Sequence, residues 1–176
     1  CFNSVSIPAL EQQILPLRAL AVGPGLTRRE ELRPVLECLI ASGKPMVLDA
    51  DALNILAETP ALLKEKRDGI LLTPHPGEMA RLQTAFGLDG SKHRIEQALD
   101  LAYVTGAVVI LKGSRSITAS PEGDYCINMS GCAALATAGS GDTLTGICGA
   151  LLAQGYCAWD AARLGAFLHG LCGELL

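Results

Sequence analysis

The sequence predicts an α/β protein of three layers, in which helices cover both faces of a mainly parallel sheet and a hairpin forms one edge. Two patterns support this fold class. Short apolar runs alternate with segments of helical spacing along the 176 residues, and each run is apolar throughout, which is typical of parallel strands buried on both faces. We expect residues 1–176 to form a single domain, because a chain of this length can bury a sizeable core.

The strands are the apolar runs. Four of them end in turns that contain Gly, Asp or Pro and predict the parallel strands, while two short runs around Pro121-Glu122-Gly123 predict the hairpin. The parallel strands are expected at residues 18–22, 45–48, 69–72 and 107–112, and the hairpin strands at 116–119 and 125–127. In such sheets, ligands bind beyond the carboxyl ends of the strands.

Helices are predicted between the strands and after the hairpin. Thr27 and Glu30 form the pattern of a capping box, although Pro34 indicates that the regular helix begins near that proline, and Gly43 closes it. Further helices are expected after residue 49, up to about 85, and over 91–105, 142–153 and 158–175, with an irregular or briefly helical entry at 1–17. The inward face of the helix over 91–105 is expected to hold Ile95, Leu99, Ala102 and Tyr103.

The composition argues against several function classes. A formal net charge of −4 and an aromatic content of 4% argue against a nucleic-acid-binding surface. No apolar run approaches the ~20 residues of a membrane span, so no membrane partner is expected. The seven cysteines include no C-x-x-C pair, and we therefore expect reduced thiols, no zinc site and a cytoplasmic protein.

A glycine-rich loop within residues 128–146 leads into an apolar helix and carries one acidic residue, Asp142. A helix N-terminus offers unpaired amides and a partial positive charge, and glycines let the backbone approach an anion, so this loop predicts a phosphate site. A carboxylate there can accept the proton of a hydroxyl that attacks a phosphoryl group. Asp142 is thus the candidate catalytic base, with a plain helix N-cap as the alternative. The helix itself is expected to be buried on most sides.

Two familiar phosphate loops do not match the sequence. A P-loop needs Gly-Lys-Ser/Thr, whereas Gly141 is followed by Asp142. A dinucleotide fingerprint needs a third glycine that is missing after Gly139 and Gly141, and again after Gly23 and Gly25. The sequence therefore argues against a nicotinamide-cofactor oxidoreductase.

Five segments, taken in order, resemble the ADP-dependent NAD(P)H-hydrate dehydratases, which belong to the ribokinase-like superfold. They are Gly23-Pro24-Gly25-Leu26, Asp49-Ala50-Asp51-Ala52-Leu53-Asn54, Thr73-Pro74-His75-Pro76-Gly77-Glu78, Leu111-Lys112-Gly113 and Ala136-Thr137-Ala138-Gly139-Ser140-Gly141-Asp142. The similarity runs from about residue 20 to the end of the chain. It implies a hydro-lyase of metabolite repair, which uses ADP, or ATP in eukaryotic members, to convert (6S)-hydrated NADH or NADPH back to the intact cofactor.

The resemblance also implies roles for single residues. Asp142 would deprotonate the hydroxyl of the hydrated nicotinamide ring, which would attack the terminal phosphoryl group, and the phosphate ester would then leave and restore the double bond. Gly25, His75 and Asp142 would bind the hydrated dinucleotide. The adenine nucleotide would be bound by Lys112, Gly113, Ser114, Arg115, Ser116 and Gly141. Mg2+ would lie between the phosphates with no residue assigned as its ligand, and we expect a homo-oligomer.

Several of these residues also have simpler interpretations. His75 lies between two prolines and could instead cap a helix that has Glu78 at its third position. Lys112 could be a surface lysine that snorkels. Asp51 could merely cap its helix, whereas Asp49 lies where a ligand or ion could bind, and the sequence does not choose between them. The histidines without an assigned role are His93 and His169.

The chain departs from the family pattern in two places. It lacks the glycine-rich strand and helix with which the family usually begins, so we expect an N-terminally incomplete domain. Where the family commonly has Thr-Gly-Asn-Pro, this chain has residues 130–133 as Ser-Gly-Cys-Ala, and the loop loses an amide side chain at Cys132 and a rigid proline at Ala133.

Two other functions stay open at this point. A ribokinase-like small-molecule kinase would use the same Asp142 but release a stable phosphate ester, and the prolines on both sides of His75 favour the dehydratase over it. A nucleotide-binding fragment without turnover would bind the adenine nucleotide and release no phosphate.

Overall fold

One sheet of six strands forms the centre of the molecule, and the strands are neighbours in the order in which they occur along the chain. The computed structural model describes residues 6–27, 30–63 and 68–175. The strands are β1 Leu20–Val22, β2 Met46–Leu48, β3 Ile70–Leu72, β4 Val108–Leu111, β5 Ile117–Ala119 and β6 Tyr125–Ile127. Because β1 to β4 are parallel while β5 and β6 each pair antiparallel, the predicted sheet with an edge hairpin is confirmed.

Helices connect the strands and close the chain. Among the described residues these are α1 Ile7–Ile14, α2 Arg33–Ala41, α3 Ala50–Glu58, α4 Pro76–Phe86, α5 Arg94–Thr105, α6 Ser140–Ala153 and α7 Ala158–Glu174. Short 3-10 helices occur at Glu30–Leu32, Pro60–Leu63 and Ala133–Leu135. No helix in the described part of the chain has both the length and the apolar character needed to cross a membrane.

The two faces of the sheet contribute to different cores, because successive strand residues point to opposite faces. On β2, Met46 and Leu48 join the core that α1 to α5 complete, whereas Val47 joins the core of α6 and α7. Strands β3 and β4 divide their side chains in the same way. Every position of β2, β3 and β4 is therefore buried, which is why uninterrupted apolar runs, rather than alternating ones, predict these strands.

The register of the parallel strands brings their carboxyl ends into one row. Val22 is paired with Leu48, Leu48 with Leu72, and Leu72 with Val109. The loops that follow β1, β2 and β3 therefore begin side by side, and the loop after β4 begins two residues further along. This row of loops, joined by the start of α6, carries the chemistry described below.

Two local expectations are wrong. Helix α2 begins at Arg33 with Leu32 as its N-cap, so the capping box expected at Thr27 and Glu30 does not start it. Residues 28 and 29 lie outside the described residues. Tyr103 is 66% exposed instead of facing inward, because the buried face of α5 is formed by other residues. These are Ala98, Leu101, Ala102 and Thr105.

Helix α6 is less enclosed than its apolar sequence predicts. One side packs against β1, β2 and α7 and buries Leu144, Thr145, Cys148, Gly149, Leu151 and Leu152. The opposite side exposes Thr143, Gly146 and Ala150. Small residues and a hydroxyl tolerate this exposure, so a helix with almost no charge can still have an open face.

Candidate functional site

A cavity of about 700 Å³ opens at the carboxyl ends of the strands. Its walls come from the loop after β4, from the segment between β6 and α6, and from one side of α7. The lining includes His75, residues 112–116, residues 128–133 and 135–137, Ser140, Gly141, Leu144, Ala166, His169 and Gly170. The predicted nucleotide-binding residues Lys112 to Ser116 and Gly141 thus line one cavity together with His75.

The start of α6 forms one wall of this cavity. Gly139 is its N-cap with φ +85°, a conformation that favours glycine. The amide of Ser140 donates to Thr137 O at 3.3 Å and that of Thr143 to Gly139 O at 3.1 Å. The amides of Gly141 and Asp142 between them belong to the helix turn that has no intrahelical acceptors, so they are available to an anion.

Asp142 lies in the first turn of α6 and is exposed. The N-cap is Gly139, so the alternative in which Asp142 only caps the helix is wrong. Asp142 is not among the residues that line the cavity, whereas Gly141 and Leu144 are. Because successive residues turn by about 100° around a helix of 3.6 residues per turn, Asp142 faces outward beside the cavity wall.

Lys112 is held by a buried carboxylate. Its Nζ donates to Asp49 Oδ1 at 2.7 Å and lies 3.8 Å from Glu78 Oε2. The second oxygen of Asp49 accepts from Thr145 Oγ1 at 2.7 Å. With Asp49 only 1% exposed and the Lys112 side chain 19% exposed, Lys112 is an internal cation and not a snorkelling surface lysine.

The position of Lys112 relative to α6 defines the electrostatics of the cavity. A Cβ atom on Gly141 would lie 3.4 Å from Lys112 Nζ and 3.8 Å from Asp49 Oδ2. The ammonium group therefore lies directly beside the helix turn whose amides are free. A fixed cation and unpaired amides at one helix N-terminus form a site that favours phosphate or carboxylate groups.

Asp49 and Asp51 have different contacts. Asp49 pairs with Lys112 and Thr145 below the cavity surface, whereas Asp51 accepts a hydrogen bond from the Thr27 amide at 2.9 Å and joins the loop after β1 to the first turn of α3. Gly23, which follows β1, packs so tightly that a Cβ atom would lie 1.7 Å from Asp49 O. The glycine lets the end of β1 approach the backbone of Asp49.

His75 caps α4, as the simpler interpretation of this residue has it. Its Nδ1 accepts from the amides of Gly77 at 2.9 Å and Glu78 at 3.3 Å, and Glu78 Oε2 accepts from the His75 amide at 2.8 Å. Since Nδ1 is an acceptor, the neutral ring carries its hydrogen on Nε2. Nε2 is 3.4 Å from Glu78 Oε1, and the side chain is 51% exposed. His75 can therefore offer a donor to a ligand while it caps the helix.

The remaining predicted residue, Gly25, lies outside the cavity. It is exposed, has φ +74°, and has open space where a Cβ atom would be. Gly25 and Asp142, both predicted to bind the dinucleotide, are therefore not brought into the cavity that holds the predicted nucleotide residues. Their assignment stays a prediction.

Several residues that the sequence left without a role belong to the site. The His169 ring lies 3.1 Å from Ser140 Oγ through its Nε2. Arg94 donates to Ser114 O at 2.9 Å and fastens the loop after β4. Cys132, where the family has an amide side chain, donates through Sγ to Gly173 O at 2.8 Å. These contacts join residues far apart in the chain, so no local pattern reveals them.

Burial lowers the pKa of His169, and the charge of Lys112 lowers it further, while a backbone hydrogen bond at Ser140 acts in the opposite direction. The imidazole is thus mostly neutral at neutral pH. No group of three or more His, Cys, Asp or Glu side chains within the described residues could hold a metal ion. An Mg2+ ion here would have phosphate oxygens and water as its main ligands, which is the usual arrangement for nucleotide-bound Mg2+.

Comparisons of sequence and structure relate this chain to known proteins. A sequence model of the NAD(P)H-hydrate dehydratase family matches residues 6–176. The bifunctional NAD(P)H-hydrate repair enzyme of Moorella thermoacetica is 41% identical over 170 residues, which are 96% of this chain and 32% of that protein. A solved structure of the ADP/ATP-dependent NAD(P)H-hydrate dehydratase of Bacillus subtilis, co-crystallised with ATP and Mg2+ and soaked with CoA, has a TM-score of 0.76 to this chain. The two sequences are 36% identical, and the match covers 90% of this chain and 57% of the Bacillus subtilis chain.

A ribokinase-like superfamily protein of Enterococcus faecalis V583 has a TM-score of 0.78 at 24% identity, over 95% of this chain and 58% of that one. This likeness confirms the expected ribokinase-like fold. The chain spans between 32% and 58% of the length of these three proteins.

Proposed function

We infer a function from the premise that this chain belongs to the NAD(P)H-hydrate dehydratase family, whose sequence model matches residues 6–176. We propose that it takes part in the ADP- or ATP-dependent dehydration of hydrated NADH or NADPH to the intact cofactor. The residues described here would form the nucleotide side of that active site. A cytoplasmic location and a homo-oligomer belong to the same proposal.

The observation that carries the proposal is the position of Lys112 Nζ beside the free amides at the start of α6. The ammonium lies 3.4 Å from the point where a Cβ atom of Gly141 would be, and the buried Asp49 fixes it there. A nucleotide needs such a phosphate site next to an apolar cavity wall, and Leu135, Leu144 and Ala166 supply that wall. The Bacillus subtilis relative, which was co-crystallised with ATP and Mg2+, supports the assignment.

In the proposed reaction Asp142 is the general base. Asp142 takes the proton of the ring hydroxyl, and the hydroxyl oxygen attacks the terminal phosphorus of ADP. The bond between that phosphorus and the bridging oxygen breaks, and AMP leaves. The ester leaves as phosphate when its carbon–oxygen bond breaks, and loss of a proton from the adjacent carbon restores the ring double bond. Gly25 and His75 would orient the dinucleotide, His75 through its Nε2 hydrogen.

The nucleotide residues have separate tasks in this proposal. Lys112 and the amides of Gly141 and Asp142 would hold the terminal phosphates, and residues 113–116 would follow the rest of the nucleotide along the cavity wall. Bound Mg2+ would neutralise charge on the phosphates, as it does in other phosphoryl transfers.

The test is recovery of the near-ultraviolet absorbance of reduced nicotinamide when hydrated NADH is mixed with the chain, Mg2+ and ADP or ATP. We expect recovery that depends on the nucleotide and falls by about 100-fold or more in Asp142→Asn, because general-base catalysis contributes about 10²–10⁴-fold. Asp124→Asn, which changes an exposed acid in the hairpin turn, is the matched control and should keep full activity.

Other outcomes would favour a different function. Release of a stable phosphate ester by the chain would indicate a small-molecule kinase. Tight nucleotide binding without any turnover, in the chain and in both variants, would indicate a nucleotide-binding fragment. Equal activity in Asp142→Asn and the native chain would refute the assignment of the base.

A further inference from the structure

His169 lies in α7, yet its side chain reaches the start of α6. Its Nε2 is 3.1 Å from Ser140 Oγ, and Ser140 is the first residue of α6, directly before Gly141. The imidazole also lines the cavity that Lys112 and Gly141 line. Helices α6 and α7 pack against each other, and the contact between His169 and Ser140 places the C-terminal part of α7 at the start of α6.

The surroundings of His169 favour the neutral ring when the cavity holds no anion. Burial lowers its pKa and is the largest cause; a backbone hydrogen bond at Ser140 acts in the opposite direction, and the Lys112 charge lowers the pKa further. The other titratable groups in the cavity lining are Arg115, His75 and Cys132. Asp142 is exposed in the first turn of α6, and Glu174 on α7 accepts the Gly131 amide at 2.6 Å.

Phosphate at the start of α6 would reverse this balance. An anion near an imidazole favours the charged form, so its arrival raises the pKa of the ring. By thermodynamic linkage, a ligand that raises this pKa binds together with a proton and binds more tightly as the pH falls. Ser140 can take part in the same site, because its hydroxyl is free to donate to phosphate once Nε2 carries a hydrogen of its own.

We propose that His169 is a nucleotide-binding residue, which takes up a proton when nucleotide phosphates bind at the start of α6 and then acts, with Ser140, as a second cationic partner opposite Lys112. This inference rests on the nucleotide-binding part of the proposed function and not on the dehydration step. It assigns to α7 a direct part in the phosphate site.

The first experiment follows the ring protons of the three histidines by NMR during a pH titration, with and without saturating ADP and Mg2+. His93→Asn and His75→Asn, which both keep a good helix cap, assign the signals. We expect ADP to raise the pKa of His169 and to leave that of His93 unchanged, since His93 is exposed and outside the cavity lining. An unchanged or lower His169 pKa with ADP bound would overturn the proposal.

The second experiment separates a charge effect from a structural one. The affinity for ADP is measured by calorimetry for the native chain and for His169→Gln at two pH values. One pH lies about one unit below the ordinary histidine pKa of about 6.5, and the other lies about two units above it. We expect the variant to bind about tenfold more weakly at the lower pH, the worth of one charge-assisted hydrogen bond, and equally at the higher pH. The same loss at both values would show that His169 only shapes the loop. Absence of ADP binding by the native chain would overturn the proposed function as well, whereas binding without a pH-dependent difference would overturn this inference alone.

Discussion

Replacing Asp49 by Asn should destabilise the fold by about 3 kcal/mol, since breaking a buried ion pair costs about 3–5 kcal/mol. Asn keeps the volume of Asp and an oxygen for Thr145, so the change removes charge and creates no cavity. The lower end of the range applies for two reasons. The Lys112 side chain keeps 19% of its exposure, and Glu78 Oε2 at 3.8 Å still compensates part of its charge.

The assay is urea denaturation of the native chain, Asp49→Asn, Lys112→Met and the double variant. Each single change leaves one buried group without its partner, whereas the double change removes both charges. We therefore expect the double variant to lose at least about 2 kcal/mol less than the sum of the single losses, a coupling within the range measured for residues in contact.

An exposed ion pair of the same chain provides the control for this double-mutant cycle. Lys92 Nζ and Asp100 Oδ2 are 2.6 Å apart but partly exposed, so Lys92→Met and Asp100→Asn should couple much more weakly. Additivity of the Asp49 and Lys112 changes to within about 0.5 kcal/mol would refute the conclusion that Asp49 holds Lys112. A larger coupling for the exposed pair would do the same.

Two further predictions concern residues near Asp49. Gly23→Ala should lower the free energy of unfolding, measured by urea denaturation, by about 3 kcal/mol or more. The new Cβ atom would lie 1.7 Å from Asp49 O at φ +133°, so overpacking and backbone strain both destabilise the variant. Gly43→Ala, at φ +68° with open space, is the control and should be destabilised clearly less; equal losses would contradict this prediction. Burial raises the pKa of the Cys148 thiol to about 12, and the Asp49 charge adds to this effect. At mildly alkaline pH we therefore expect iodoacetamide to modify the exposed Cys157 and to leave Cys148 unmodified, which mass spectrometry can measure. Modification of Cys148 at a rate similar to that of Cys157 would contradict this prediction.

The sequence predicts the order of elements well because the central strands β2, β3 and β4 are buried on both faces. A run such as Met46–Leu48 must be apolar at every position, and the turns between runs are marked by Gly, Asp and Pro. The confirmed edge hairpin is predicted from a different signal, the turn residues Pro121-Glu122-Gly123 between two short runs, and its outer strand β6 is largely exposed. Tyr103 was misplaced because helical spacing alone does not fix which edge of the apolar stripe faces the sheet.

The candidate site is predictable only in part. The glycine-rich start of α6 and the His75 cap are local patterns, so both can be identified from spacing. The contact between Asp49 and Lys112 joins residues 63 positions apart, and it exists because β2, β3 and β4 are neighbours in the sheet. Alternation of strands and helices does not determine that order, so the sequence left Asp49 and Asp51 undecided and Lys112 without its partner.

The pairing of Lys112 with Asp49 also bears on how an anion would be bound. Because the carboxylates of Asp49 and Glu78 lie beside the Lys112 ammonium, we expect the amides of α6, Arg115, a protonated His169 and the Mg2+ of the nucleotide to add to the attraction of Lys112 for phosphate. Lys112 also contributes a hydrogen-bond donor in a fixed position. A free lysine loses up to about 2 kcal/mol of rotamer entropy when it is ordered, whereas one already fixed by a buried carboxylate loses little of it on binding, which is the advantage of a preorganised site.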